Sequence, residues 1–209
     1  MEIKGKQREV SFLVKLTTIA LIIAFTLSYS IVKKRQIDKL TSENNNLILK
    51  KLPKFSFPVL KNDSLKFLSN ENIFAGDPDA IFIHFWGTWC GPCEAELPEF
   101  LEFIESAKNY KVKVVLLAVK DNDKLINKFM KKFGSLPSNI ILAHDESGKS
   151  MVQFGTVKVP ETYLFSRSGK SLNKYVGPQD WKQSMYKDRL DFYLSGARVY
   201  DEAVKIETH

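Results

Sequence analysis

The sequence is poor in cysteine and histidine, the residues that form disulfides and structural zinc sites. It contains only two cysteines, Cys90 and Cys93, and three histidines in 209 residues. Closing a loop as short as Cys90–Cys93 removes little entropy from the unfolded chain, so a structural staple is disfavoured. A zinc site needs four ligands, and the sequence has neither a second cysteine pair nor histidines at a zinc-like spacing.

The chain beyond residue 54 lacks an excess of positive charge, although the net charge of the whole chain is +7. Residues 1–54 carry eleven Lys and Arg against four Asp and Glu, whereas residues 55–209 carry twenty of each sign. A nucleic-acid-binding domain needs a basic face on its folded part. We therefore expect no nucleic-acid partner.

The longest uncharged apolar segment is LTTIALIIAFTLSYSIV, residues 16–32. Its length is at the lower edge of the roughly 17–25 residues that a membrane-spanning helix needs. Ser28 and Ser30 are spaced like a signal-peptide cleavage site, which makes a cleaved signal the alternative. The length of the segment and the KKR that follows it favour an uncleaved anchor. Lys and Arg are more numerous after the segment than before it, which favours a cytoplasmic C-terminal part.

The remaining sequence predicts one α/β domain. We divide the chain into a tail and anchor (1–32), a polar spacer (33–54), the domain (55–195) and a C-terminal tail (196–209). FSFPVL and LKFL predict a hairpin around the polar turn KNDS, and apolar runs predict the further strands AIFIHFW, VKVVLLAV, NIILA, ETYLF and SLNKYV. Helical spacing predicts a helix after the cysteines and further helical segments in DKLINKFMKKFG, SMVQF and DWKQSMYKDRLDFYL. This order predicts three layers around a mixed sheet.

The position of the two cysteines favours redox chemistry. Pro92 suits the first turn of a helix, where a missing N–H costs nothing, so Cys90 is predicted at the helix N-terminus. Free N–H groups and the helix dipole stabilise a thiolate there, which makes Cys90 the predicted nucleophile. Cys93, one turn further in, is predicted to resolve the mixed disulfide.

Two further residues near the pair carry ionisable groups. Glu96 lies three residues after Cys93 on the same helical face, where a buried carboxylate could move protons or raise the pKa of the thiol. The alternative is a solvated glutamate on an acidic helix. His84, within a predicted buried strand, is expected to make a core hydrogen bond rather than to transfer protons.

The segment FWGTWCGPCEAELPEF closely resembles the active-site segment of thioredoxin-fold proteins, above all the membrane-anchored TlpA/ResA/DsbE-like thiol-disulfide oxidoreductases. Two further segments are similar to parts of that group. Its N-terminal hairpin is matched by LPKFSFPVL, and its stretch from the central α/β insertion to the hairpin that follows is matched by AHDESGKSMVQFGTVKVPETYLFSRSGK. The likeness covers residues 52–195. It implies a thioredoxin fold with an N-terminal hairpin and a central α/β insertion. Two features differ from many members of the group. One is the Gly-Pro dipeptide that separates the two cysteines, and the other is His84.

The resemblance also implies site residues. Pro160 matches the cis-proline that faces the cysteines, and the Val159 backbone would then dock an extended substrate peptide. Trp89 matches an aromatic residue beside the pair, and Glu96 matches the group's acidic residue after the second cysteine, which favours a redox role. The expected catalytic residues are thus Cys90, Cys93 and Glu96, with Trp89, Val159 and Pro160 binding substrate.

We therefore predict a reductase of protein disulfides, tethered to the outer face of a cytoplasmic membrane, where disulfides persist. We prefer this location to the cytoplasmic one that the Lys and Arg counts on the two sides of residues 16–32 favour. No metal or organic cofactor is expected, since the cysteine pair carries the electrons. The resemblance implies apocytochrome c as a substrate and a membrane thiol protein as the electron donor. The alternatives are a general extracytoplasmic disulfide reductase or oxidant, a copper-delivering chaperone with Cys90, Cys93 and His144 as ligands, and a non-catalytic interaction module.

Overall fold

The computed structural model describes residues 12–47, 49–60, 66–107 and 109–207, with side chains described within 16–34, 49–60, 66–107 and 109–196. The chain divides after residue 48 into two compact units. The predicted turn KNDS lies outside the described residues. The domain boundaries predicted at residues 32, 54 and 195 stay predictions.

The first unit contains one long helix, α1 (Phe12–Leu47). Its segment Leu16–Lys34 is long and apolar enough to cross a membrane, and its side chains are exposed. A run of exposed apolar side chains such as Leu21, Ile22 and Phe25 is unfavourable in water. By length and composition α1 is therefore a candidate membrane span, as the sequence predicts.

The second unit is a sheet with helices on both faces. Its elements are β1 (Ser56–Leu60), β2 (Phe67–Ser69), β3 (Ala80–Trp86), α2 (Gly91–Ser106), β4 (Val112–Val119), α3 (Asp123–Met130), β5 (Ile140–Asp145), α4 (Lys149–Phe154), β6 (Glu161–Ser166), β7 (Ser171–Val176) and α5 (Ser184–Glu207). Within the described residues the sheet has seven strands in the order β2-β1-β5-β4-β3-β6-β7. Strands β3, β4 and β5 are parallel and the other pairs antiparallel, so the predicted mixed sheet is confirmed.

The connectivity is that of a thioredoxin-like fold. The β3-α2-β4 unit and the β6-β7-α5 unit form its two halves, β5 and α4 are inserted between them, and the β1-β2 hairpin is attached to β5. The predicted fold class is therefore confirmed, including the hairpin and the insertion.

The core consists of two apolar clusters, one on each face of the sheet. Alternate side chains of β3 serve both: Phe82 and Trp86 pack towards α2, α3 and α5, whereas Ile83 and Phe85 pack towards α4 and the segment before β1. All seven residues of β3 are buried, as expected for a strand covered on both faces. This rigid central strand leads directly to the cysteines.

The last helix differs from its prediction. It begins at Ser184 rather than Asp180, and it continues to Glu207. Residues 177–183 form a turn instead, in which the side chain of Trp181 is buried against Phe100 and Phe103 of α2. Tertiary packing of this turn therefore overrides the helical pattern of residues 180–183.

Candidate active site

The cysteine pair lies just after the end of β3, at the start of α2. Cys90 is the N-cap residue of α2, with extended backbone angles, and Pro92 lies in the first turn. A disulfide joins Cys90 to Cys93, and the N–H of Cys93 donates to Sγ of Cys90 over 3.2 Å. Cys90 retains 6% of its surface exposed, whereas Cys93 has none. The sulfur of Cys90 is thus the more accessible and lies at the positive end of the helix.

Trp89 covers the turn before the pair. Its side chain is 55% exposed, and its indole N–H donates to the carbonyl of Val119 over 3.2 Å. The indole lies directly over Gly87, where an added Cβ would meet Nε1 at 2.6 Å. Gly87 is therefore required by the close approach of Trp89, and the indole leaves an apolar surface open beside Cys90.

A buried carboxylate also holds this turn. Oδ2 of Asp121 accepts the N–H of Thr88 over 2.6 Å, and Oδ1 accepts the N–H of Asn122 over 2.9 Å. His144 contacts the same loop: Nε2 lies 2.8 Å from the carbonyl of Asp121, and Nδ1 lies 2.7 Å from a carboxylate oxygen of Asp123.

Sequence reasoning missed the role of Asp121. The available signal is that it follows β4, the parallel neighbour of β3, so both strands end at the same edge of the sheet. From the sequence, His144 has no zinc-like spacing and is a candidate ligand only for copper. Both of its ring nitrogens already have protein partners, and the described residues contain no group of three or more His, Cys, Asp or Glu placed to hold a metal ion.

Glu96 is buried rather than solvated, with 4% of its surface exposed. One carboxylate oxygen accepts the indole N–H of Trp181 over 2.5 Å, and the other accepts the N–H of Gln179 over 3.3 Å. Burial raises the pKa of Glu96 to about 7, the two hydrogen bonds oppose that rise, and the charge of Glu99 adds to it. This carboxyl group, one helical turn after Cys93, therefore exchanges its proton near neutral pH.

His84 occupies the centre of β3. Its Nδ1 lies 2.8 Å from the hydroxyl of Thr162, and its ring stacks on Phe100 with the centroids 4.7 Å apart. The expected core hydrogen bond is confirmed. Complete burial lowers the pKa of His84 to about 3, so the imidazole is neutral at physiological pH.

The segment before β6 reaches the same edge of the sheet as the cysteines. The Val159–Pro160 peptide bond is cis, as the resemblance implies. Glu161, the first residue of β6, pairs with Phe85 of β3, four residues before Trp89. In the described part of the chain, neither the N–H nor the carbonyl of Val159 has a hydrogen-bond partner.

The structure therefore gathers all six predicted site residues around one end of the sheet. Trp89, Cys90 and Cys93 follow β3, and Glu96 lies one turn deeper in α2. Val159 and Pro160 precede β6, the antiparallel neighbour of β3. The partners of Glu96, Gln179 and Trp181, were not predicted, since no local pattern connects a turn after β7 with α2.

Known proteins agree with this architecture. The Redoxin family matches residues 49–190. Thiol-disulfide oxidoreductase ResA of Bacillus thuringiensis subsp. konkukian is 29% identical over 114 residues, which are 54% of this chain and 61% of that protein. Sporulation thiol-disulfide oxidoreductase A of Bacillus subtilis is 30% identical over 104 residues, 48% of this chain and 61% of that protein.

The crystal structure of StoA from Bacillus subtilis superposes with a TM-score of 0.52 at 22% identity, covering 67% of this chain and 98% of that one, which shows a shared fold. The matched region spans 61% of the length of the two curated relatives. The family match, by contrast, covers more than half of this chain and includes both cysteines. The protein belongs to the Redoxin family.

Proposed function

We propose that this chain is a membrane-tethered thiol-disulfide oxidoreductase that reduces protein disulfides through Cys90 and Cys93. The observation that carries the proposal is the asymmetry of the pair. Cys90 is the N-cap of α2 with an N–H directed at its sulfur, and Cys93 is buried one turn before the buried Glu96. The printed names of the two relatives, both thiol-disulfide oxidoreductases, support the same chemistry.

The reaction consists of two exchanges of sulfur bonds. The thiolate of Cys90 attacks one sulfur of a substrate disulfide, a mixed disulfide forms, and the other substrate sulfur leaves as a thiolate. Cys93 then attacks Sγ of Cys90, which forms the Cys90–Cys93 disulfide and releases the second substrate thiolate. Two electrons pass from the pair to the substrate, and a thiol electron donor must return them.

Glu96 is proposed to accept the proton of the Cys93 thiol during the second exchange. The Cys93 side chain has no exposed surface, so bulk water cannot readily remove that proton. A carboxyl group with a pKa of about 7 is partly ionised at neutral pH and is well matched to this transfer. Trp181 and Gln179 orient the carboxylate.

Substrate is proposed to dock beside the pair as an extended segment. The unpaired N–H and carbonyl of Val159 can bond the backbone of such a segment as an added strand would. Pro160 fixes the end of this docking backbone, since its carbonyl accepts the N–H of Gly177 over 2.9 Å. The exposed indole of Trp89 provides apolar contact next to Cys90.

The proposed physiological role is reduction of apocytochrome c cysteines before haem attachment, with a membrane thiol protein as donor. General reduction or formation of extracytoplasmic disulfides is the alternative within the same chemistry. No metal or organic cofactor is proposed, since the cysteine pair itself carries the two electrons.

The reduction potential distinguishes a role in reducing disulfides from a role in forming them. We expect the full chain in detergent, titrated against thiol–disulfide buffers, to give a potential near thioredoxin's, about −270 mV, which defines a reductant. A value near about −120 mV would instead define an oxidant and remove the apocytochrome role. Cys90→Ser is the control, since its single remaining cysteine cannot form the internal disulfide.

The domain is proposed to lie outside the cytoplasmic membrane, with α1 as its anchor. Val152 is 85% exposed, so Val152→Cys in a Cys90→Ser/Cys93→Ser background places one accessible thiol on the domain. An impermeant maleimide should label this variant in intact cells. Labelling only after lysis would place the domain in the cytoplasm, and the same background without Val152→Cys gives the blank.

A further inference from the structure

A second polar cluster, with two buried members and one partly exposed lysine, lies on the face of the sheet opposite α2. Tyr163 belongs to the core cluster on that face, whereas Cys93 belongs to the other. Glu161, two residues before Tyr163 in β6, has a side chain with no exposed surface. Oε1 of Glu161 lies 3.1 Å from Nζ of Lys174, and Oε2 lies 3.1 Å from the hydroxyl of Tyr163.

These side chains also hold the segment that leads to Val159 and Pro160. The hydroxyl of Tyr163 donates to the carbonyl of Phe154 over 2.6 Å and lies 3.1 Å from the hydroxyl of Thr156. Nζ of Lys174 donates to the carbonyl of Gly155 over 3.1 Å. Three consecutive residues, 154–156, are thereby tied to β6 and β7.

Stability alone is a weak reason for such a cluster. The Lys174 side chain stays 35% exposed, and an ion pair with a partner open to water adds little stability because the solvent screens it. The cluster instead fixes the position of the backbone at residues 154–156. Just beyond the tied residues Val157 is 82% exposed, so the backbone leaves the core there before it reaches Val159. A segment that protrudes in this way would lose conformational freedom on binding unless it were already fixed.

We propose that Glu161, Tyr163 and Lys174 are positioning residues that fix residues 154–160 in the conformation that docks substrate. This inference rests on the proposed function. The cluster acts on binding and not on the cysteines, since it lies across the sheet from α2. Its loss therefore raises KM for a peptide disulfide and leaves kcat and the reduction potential unchanged.

The test compares Tyr163→Phe with the matched control Tyr193→Phe, which removes a hydroxyl from α5, in the full chain in detergent. Substrates are a synthetic peptide with one disulfide and the small hydroxyethyl disulfide, which needs no docking. We expect Tyr163→Phe to raise KM for the peptide about tenfold, the factor for one lost buried hydrogen bond, with the small disulfide unaffected. Unchanged peptide KM, or equal losses with both substrates, would overturn the proposal.

Lys174 provides a rescue test. Lys174→Met leaves the carboxylate of Glu161 buried without its cation and should raise KM for the peptide. Lys174→Arg retains the charge and should restore KM towards that of the wild type. A Lys174→Arg variant as impaired as Lys174→Met would contradict a positioning role for the ion pair.

Hydrogen exchange gives a readout that does not require catalysis. The amides of Gly155 and Thr156, which donate to the carbonyls of Val152 and Met151 over 3.2 and 2.7 Å, should exchange about tenfold faster in Tyr163→Phe than in the wild type, and at the wild-type rate in Tyr193→Phe. Equal exchange in all three proteins would overturn the positioning role. A wild type that reduces neither disulfide would count against the proposed function, and the exchange rates would still decide whether the cluster fixes the segment.

Discussion

Cys93→Ser is expected to accumulate disulfide-linked complexes with its substrates, whereas Cys90→Ser is not. Cys90 is the N-cap of α2 and keeps some exposed surface, so it can reach a substrate sulfur. Cys93 is fully buried and lies behind it, where it can reach only Sγ of Cys90. Replacing Cys93 therefore leaves the first exchange intact and removes the second, and the mixed disulfide persists.

The measurement is a non-reducing gel of the full chain recovered from cells whose free thiols were alkylated at lysis. Cys93→Ser should give bands of higher mass that disappear on reduction. Both single variants should lose all catalytic turnover, since neither can form the internal disulfide. Cys90→Ser and the double variant are the controls. Equal trapping by the two single variants would show that the assigned roles of nucleophile and resolving cysteine are wrong.

Long apolar strands were predictable because their burial pattern is local. AIFIHFW and VKVVLLAV have the same bounds in the structure as in the sequence, since every residue of β3 and nearly all of β4 is buried. The start of α2 was likewise predictable from Pro92, whose geometry suits a first helical turn. The start of α5 was not, because Trp181 leaves the helical pattern to pack on α2.

The site residues likewise fall into those that local sequence predicts and those that depend on distant contacts. The spacing of Cys90 and Cys93 is a local property and predicts their meeting across one helical turn. The burial of Glu96 was undecided because its partners, Gln179 and Trp181, lie 83 and 85 residues further along the chain. Asp121 lies 33 residues from Thr88. Such contacts depend on strand order, which no local pattern encodes.

Glu96→Gln is expected to change the pH dependence of the resolving exchange. With a pKa near 7, the wild-type carboxyl group becomes a proton acceptor as the pH rises through neutrality. The rate at which Cys93 resolves the mixed disulfide should therefore increase around pH 7. Glutamine cannot accept the proton, so the variant should lose this inflection and resolve about a hundredfold more slowly at pH 8. Stopped-flow measurement of the decay of a preformed mixed disulfide gives the rate.

The same substitution is expected to change stability in a pH-dependent way. The pKa of Glu96 is raised from its ordinary value of 4.5 to about 7, because burial disfavours the charged form. The folded chain thus binds the proton more tightly than the unfolded chain. The stabilisation linked to that proton is complete below pH 4.5 and is lost as the pH rises through 7. It amounts to at most about 3 kcal/mol.

Glu96→Gln carries no titratable group at this position, so it should lose none of this stability. Its free energy of unfolding relative to the wild type should therefore rise between pH 5 and pH 8, as measured by urea denaturation. Glu99→Gln is the matched control, because Glu99 lies on the same helix, is partly exposed and pairs with Lys182 over 3.3 Å. Parallel pH profiles for Glu96→Gln and the wild type would show that the folded chain does not hold this proton. An ordinary pKa would leave Glu96 ionised throughout this range, and an inflection of the resolving rate near pH 7 would then have to come from another group.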